Sequence, residues 1–255
     1  MITILQSLIL GAIQGLTEFL PVSSSGHLLL LERFFQIKEN VVLLNLMLHL
    51  GTVIALICFF WKDLMLILKQ KDWNLVKNLF IAFATTSIFG FLFKKTIENV
   101  FIYTNSLIPV ALGFIFTAII LFLTIKNNSK RDISTLTITE AVKIGFAQAV
   151  AIAPGISRSG LTYFATLKSG IKPKDSFKFS FLLSIPTILA ATLVEILSDY
   201  KGLAIGINWS TIALGLIISF IFGSLGLILF RQMSKNSKVW VFGIYLIVLG
   251  LILII

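Results

Sequence analysis

The chain has 255 residues, of which 57% are hydrophobic and only 13% charged, against about 25% charged in ordinary soluble domains. With a mean hydropathy of +1.00 it reads as an integral membrane protein and not as a soluble domain. The net charge of +10 does not indicate nucleic acid, because the basic residues are spread over short segments between apolar runs instead of forming one patch.

In chain order, Met1 to Leu20 is apolar, breaks at Pro21 and Ser23-Ser24-Ser25-Gly26, and turns apolar again from His27 to Phe35. The run has no Lys or Arg before Arg33 and no small-residue cleavage site, so it is expected to be retained and not removed as a signal peptide. Each arm is short for a crossing of about 20 residues. Non-helical backbone at membrane depth survives only where protein or a water-filled cavity satisfies its N–H and C=O groups. The stretch is therefore expected to be a re-entrant helical hairpin with its serine-rich tip inside a bundle. Crossings are expected at 41–61, 78–93 and 106–125, with Lys-containing connections between them. The single cysteine, Cys58, excludes an internal disulfide and a Cys-based metal cluster, and reads as apolar filler.

Residues 139–170 repeat the broken pattern, with the break at Pro154-Gly155-Ile156-Ser157, and crossings are expected again at 177–198, 209–230 and 239–255. Shifting GAIQGLTEFLPVSSSGHL at 11–28 by 134 positions lays Gly11 on Gly145, Gln14 on Gln148, Ser23 on Ser157, Ser25 on Ser159 and Gly26 on Gly160. At the same offset Ser24 falls on Arg158. The expected fold is one all-α polytopic membrane domain over 1–255, with repeats at 1–125 and 139–255, each a re-entrant hairpin plus three transmembrane helices. Three crossings is an odd number, so the second hairpin enters from the opposite side, giving an inverted-topology repeat with its site near the midplane.

Fifteen Lys and Arg residues fall in 62–77, 126–143, 168–178 and 231–238, against Arg33, Lys38, Lys94, Lys95 and Lys201 on the other face. The positive-inside tendency puts the first group in the cytoplasm. The first hairpin then enters from outside the cell.

Chemistry is expected where polar groups interrupt lipid-like sequence. A carboxylate within a membrane segment, Glu18, faces a cavity or a partner. Gln14 sits one helical turn before it, and either serves the site or ties helices together by hydrogen bonds. Ser23, Ser24 and Ser25 include at least one N-cap. His27 in the following turn has the chemistry of a general base for a hydroxyl or a water, or of a phosphate or metal ligand, or else links helices by hydrogen bonds. Gly155, Ser157, Ser159, Gly160 and Thr162 around Arg158 allow close backbone approach and supply hydrogen bonds, while the guanidinium fork suits phosphate oxygens. Arg158 requires an acid partner, with Glu18 as one choice and a phosphate between the two as the other. His49 either lines the cavity or packs between helices, and Glu195 reads as an interfacial acid.

GAIQGLTEFLPVSSSGHL and PGISRSGLT, with HLGT from His49 and FSFLLSIP at 179–186, resemble the signature motifs of the bacterial undecaprenyl-diphosphate phosphatases, the bacitracin-resistance family. The resemblance covers nearly the whole chain. It implies hydrolysis of undecaprenyl diphosphate to undecaprenyl phosphate and inorganic phosphate at the bacterial inner membrane, recycling the lipid carrier of cell-wall synthesis. By motif position it makes Glu18, Ser24, His27 and Arg158 catalytic or phosphate-binding, and adds Gln14, Ser23, Ser25, Gly155, Ser157, Ser159, Gly160 and Thr162 to the phosphate site. It also implies a divalent cation, magnesium or calcium, at Glu18 with Gln14 nearby. Many members carry a second Glu where this chain has Gln14, and a neutral amide supplies no charge to a metal. The implied partners are the lipid substrate and the bilayer, with a homodimer allowed and no nucleic acid. An unrelated phosphatase type with PSGH and SRx5H motifs is excluded, because the second histidine would fall on Phe164. A lipid-phosphate flippase using the same midplane site is the alternative of a different class.

Overall fold

The computed structural model describes residues 2–37, 42–104, 106–125, 129–198 and 208–255. Lys38, Lys126 and Lys201, used in the charge count, lie outside them. Eleven α-helices are present among the described residues: α1 (Ile4–Phe19), α2 (Ser24–Phe34), α3 (Val42–Phe59), α4 (Trp61–Gln70), α5 (Trp73–Thr104), α6 (Ile108–Phe122), α7 (Ile138–Val150), α8 (Arg158–Lys168), α9 (Pro173–Ser198), α10 (Trp209–Lys235) and α11 (Val241–Ile254). The only β-pairing among them is an isolated bridge between Arg131 and Ile171. The chain is an all-α multi-pass membrane protein.

Helices α1 and α7 open on the same local device. Thr3 and Thr137 are N-caps whose side chains accept from the N–H three residues on, and Gln6 and Glu140 reach back to the cap N–H, which satisfies two orphan donors at once. Helix α1 stops where Pro21 forces Leu20 into extended backbone, at ψ 146°. That stop fixes Glu18 in the last turn of α1.

Among the described residues four helices are long and apolar enough to cross a membrane: α3, α5 over Trp73–Ile97, α9 and α10. The crossings expected at 106–125 and 239–255 are helical but shorter. Helices α6 and α11 have 15 and 14 residues, about 21–23 Å at 1.5 Å per residue, less than the ~30 Å hydrocarbon core. Pro109 at the start of α6 and the turn after Phe122 set the limits of the first. Part of the expected 62–77 connection is helix α4, and α5 begins at Trp73 and runs through Lys94-Lys95 to Thr104. Here tertiary contact overrides the charge pattern: Leu64 and Ile67 of α4 pack on the core, and Asp63 pairs with Lys178 of α9 at 2.6 Å.

Packing is reciprocal between the repeats. Helix α1 lies along α10, and its copy α7 lies along α5. Both contacts are made through the glycine that the sequence shift superimposes. A Cβ on Gly11 would lie 2.7 Å from the Gly215 carbonyl oxygen, and one on Gly145 would lie 2.3 Å from that of Ala82. Small residues let backbones approach closely where lipid removes any hydrophobic preference for protein. Thr86 adds a hydrogen bond across the second contact, to the Gly145 carbonyl at 2.9 Å.

An aromatic cluster of Phe19, Phe60, Tyr163, Phe177, Phe181 and Phe230 fills the centre, with Phe19 edge-on to Phe181 at 5.6 Å. Phe19 follows Glu18, so the cluster anchors the end of α1 that carries the acid. Replacing Gly145 with Val is expected to push α7 off α5 and cost about 1–3 kcal/mol, read as a lower unfolding temperature in detergent. Gly90→Ala, whose added Cβ would meet only the flexible end of Ile152, should change it little.

Candidate active site

The two broken segments are built alike and meet. Ser23 caps α2, its Oγ accepting from the Gly26 N–H at 3.5 Å, and Ser157 caps α8, its Oγ accepting from the Gly160 N–H at 3.1 Å. Ser23–Ser25 and Ser157–Ser159 hydroxyl pairs stand at 3.3 and 3.2 Å. Ser23 takes φ +67°, a conformation costly for a non-glycine residue and held only by its surroundings. The tips lock together. Ser159 Oγ donates to the Leu20 carbonyl at 3.2 Å, and Thr117 of α6 holds the second tip by accepting from the Ser157 N–H at 3.0 Å and donating to the Gly155 carbonyl at 3.3 Å. Gly155, at φ +90°, has no room for a Cβ, which would lie 2.3 Å from the Val110 carbonyl oxygen.

At this junction Glu18 is only 4% exposed. One carboxylate oxygen pairs with the Arg158 guanidinium. The other accepts from Ser24 Oγ at 2.6 Å and from Gln14 Nε2 at 3.0 Å. His49 Nδ1 stands 2.9 Å from Gln14 Nε2 and 3.6 Å from the Glu18 carboxylate. A buried ion pair of this kind repays its desolvation only when further hydrogen bonds satisfy the remaining lone pairs. Gln14 and Ser24 supply them.

The cluster lines a cavity of about 880 Å³. Glu18, Ser23, Ser24, Ser25, Ser157 and Arg158 form its polar end, joined by His49. Residues of α5 and α9, including Phe83, Phe91, Ile188 and Val194, form an apolar wall. Helices α2 and α8 both begin at the polar end, so their positive dipole ends favour an anion there.

Several residues expected at the site lie elsewhere. His27 is not brought to Glu18 or Ser24. Its ring fills a slot between Phe114 and Tyr245, with centroids 5.2 and 5.7 Å away. Nδ1 stands 2.8 Å from the Ser23 carbonyl and Nε2 2.6 Å from the Tyr245 hydroxyl. A carbonyl only accepts, so Nδ1 carries the proton and Nε2 accepts from Tyr245. In this arrangement His27 holds the strained Ser23 peptide. Gly155, Ser159, Gly160 and Thr162 sit behind the cavity wall, where they build the tip; Thr162 Oγ1 donates to the Arg158 carbonyl at 2.8 Å. Gln148 lines the cavity and donates to Thr86 at 3.0 Å and to Thr187 at 2.9 Å, a helix-linking role. Glu195, read from sequence as interfacial, lies on the lining of the same cavity.

The described residues offer a hard divalent cation no all-protein cage of about six oxygen ligands. Of the two carboxylates on the cavity lining, Glu18 and Glu195, Glu18 has both oxygens engaged by Arg158, Ser24 and Gln14. Among the described residues no group of three or more His, Cys, Asp or Glu is arranged to hold a metal.

Residues 7–252 match the family model described as bacitracin resistance protein BacA. The chain is 38% identical over 251 residues to the undecaprenyl-diphosphatase of Thermosipho africanus, covering 96% of this chain and 97% of that protein. It is 37% identical over 254 residues to that of Carboxydothermus hydrogenoformans, covering 98% and 96%. With Thermosipho melanesiensis the identity is 39% over 241 residues, covering 91% and 92%. Identity at this level over nearly the full length of both proteins means that the chain belongs to the bacitracin resistance protein BacA family.

Proposed function

We propose that the protein hydrolyses undecaprenyl diphosphate to undecaprenyl phosphate and inorganic phosphate. The observation that carries this reading is the joining of Ser24, Glu18 and Arg158 in one cavity with an apolar wall, in a chain whose relatives bear that activity as their name. Phosphoryl transfer asks a protein mainly for positioning and charge neutralisation. Arg158 and the N-terminal ends of α2 and α8 supply both for the diphosphate oxygens, and the polyprenyl chain leaves along the apolar wall of α5 and α9.

Ser24 is the nucleophile. Its hydroxyl already donates to Glu18, so the carboxylate takes the proton as the Oγ–P bond forms on the terminal phosphorus. The bond from that phosphorus to the bridging oxygen breaks, and undecaprenyl phosphate departs with the electron pair. Glu18 passes the proton to the departing undecaprenyl phosphate. It then takes one from the water that attacks the phosphoserine and returns it to Ser24 Oγ as the Oγ–P bond breaks, so that inorganic phosphate is released and the Ser24 hydroxyl and the Glu18 carboxylate are regenerated. His27 acts through the Ser23 peptide and not on the substrate. These steps are carried by the chain's own residues, and none of them is routed through a metal ion. The flippase alternative draws no support from the relatives, which are named as hydrolases.

Within this reading the two broken segments are re-entrant hairpins of an inverted repeat, as the reciprocal α1–α10 and α7–α5 contacts favour. The protein lies in the bacterial inner membrane and its cavity opens to the extracytoplasmic side. The excess of Lys and Arg on the opposite face supports that orientation.

Three variants test the chemistry by phosphate release from undecaprenyl diphosphate in detergent. Arg158→Ala should lower kcat/KM by about 100- to 1,000-fold, the scale of losing one oxyanion donor. Glu18→Gln and Ser24→Ala should fall at least as far, with wild-type elution as a folded species; a wild-type rate in Ser24→Ala would remove the covalent step. Orientation is tested with Cys58→Ala as background and single cysteines at Glu195 or Lys235. A membrane-impermeant maleimide should label the Glu195→Cys protein in intact cells and leave the Lys235→Cys protein unlabelled, and the reverse result would turn the site to the cytoplasm.

A further inference from the structure

His49 is drawn into the site from α3, a helix outside both broken segments, and the hydrogen bonds around it determine which of its nitrogens is a donor. Glu18 has two oxygens and no proton to give when ionised, so the nitrogen of the Gln14 amide must face it, at 3.0 Å. The second hydrogen on that nitrogen points to His49 Nδ1 at 2.9 Å. Nδ1 therefore accepts, and the ring proton resides on Nε2. Gln14 is 0% exposed, so this edge of the ring is turned into protein. The His49 side chain as a whole is 31% exposed and lines the cavity, and Nε2, on the side of the ring away from Gln14, is the nitrogen free to face a ligand there. Glu195 of α9 lines the same cavity. Arg158, Ser24 and Ser25 share the polar end.

We infer that His49 is a substrate-binding residue: its Nε2–H, fixed as the donor by Gln14, gives a hydrogen bond to an oxygen of the bound diphosphate. The inference rests on the diphosphatase reading for the identity of the ligand. It also gives Gln14 a role that needs no negative charge. A neutral amide at this position donates to Glu18 and to His49 at once, whereas a carboxylate would turn the imidazole round by accepting from Nδ1.

The test uses two replacements. Glutamine at position 49 can accept from Gln14 through its oxygen and donate to phosphate through its nitrogen, whereas leucine can do neither. His49→Leu is expected to lower kcat/KM for undecaprenyl diphosphate by about 10- to 100-fold, the range for a hydrogen bond to a charged group, and His49→Gln to stay within about threefold of wild type. A wild-type rate in His49→Leu overturns the inference, and so does equal loss in both variants, since that would require an imidazole and not a donor. A second measurement, thermal stabilisation of the purified protein by inorganic pyrophosphate, reads the same contact without turnover. Stabilisation that is lost in His49→Leu and kept in His49→Gln supports the contact even in a protein that does not hydrolyse the lipid. Equal stabilisation of wild type and His49→Leu overturns it.

Discussion

Glu18 and Arg158 lie 140 positions apart and are held in one ion pair inside an apolar bundle. Neither charge is tolerable there alone: removing one partner of a buried pair typically costs about 3–5 kcal/mol. The rest of the architecture follows from bringing them together. Two helices have to stop inside the protein, α1 ahead of Pro21 and α7 at Val150 ahead of Pro154-Gly155, so that α1 presents the acid and α8 begins at the arginine. The turns between helices then need their polar backbone groups satisfied away from water. Serine caps do this on both sides, and Thr117 and the Leu20 carbonyl carry the remaining bonds between the tips.

The same pair explains how a hydrolase site can stand ready without substrate. Ser24 and Gln14 complete the hydrogen bonding of the carboxylate, and Arg158 neutralises it. A diphosphate entering the cavity offers the guanidinium a second anion with several acceptor oxygens. In the proposed mechanism Arg158 shifts part of its bonding to the ligand while Glu18 keeps Ser24, which is the polarity a nucleophile and its base require.

Histidine roles divide according to packing. His27 and Ser24 are three residues apart in one helix, so the sequence puts them on similar sides of α2 and makes them look like a base and a nucleophile. The slot between Phe114 and Tyr245 takes the imidazole instead, and its two nitrogens are spent on the Ser23 carbonyl and the Tyr245 hydroxyl. Neither aromatic is near His27 in sequence. His49, which the sequence offered either to the cavity or to helix packing, reaches the cavity because α3 passes the last turns of α1.

The sequence by itself determined the membrane class, the two broken segments, the repeat at 134 residues and the polar residues Glu18, Ser24 and Arg158 set within them. Each is encoded locally, as hydropathy, as proline and glycine punctuation, or as a charge with no business in lipid. Tertiary structure alone decided the helix at 61–70, the shortness of α6 and α11, the withdrawal of His27 and the arrival of His49. Those outcomes depend on which surfaces from distant parts of the chain meet, and a local pattern of residues does not specify its neighbours.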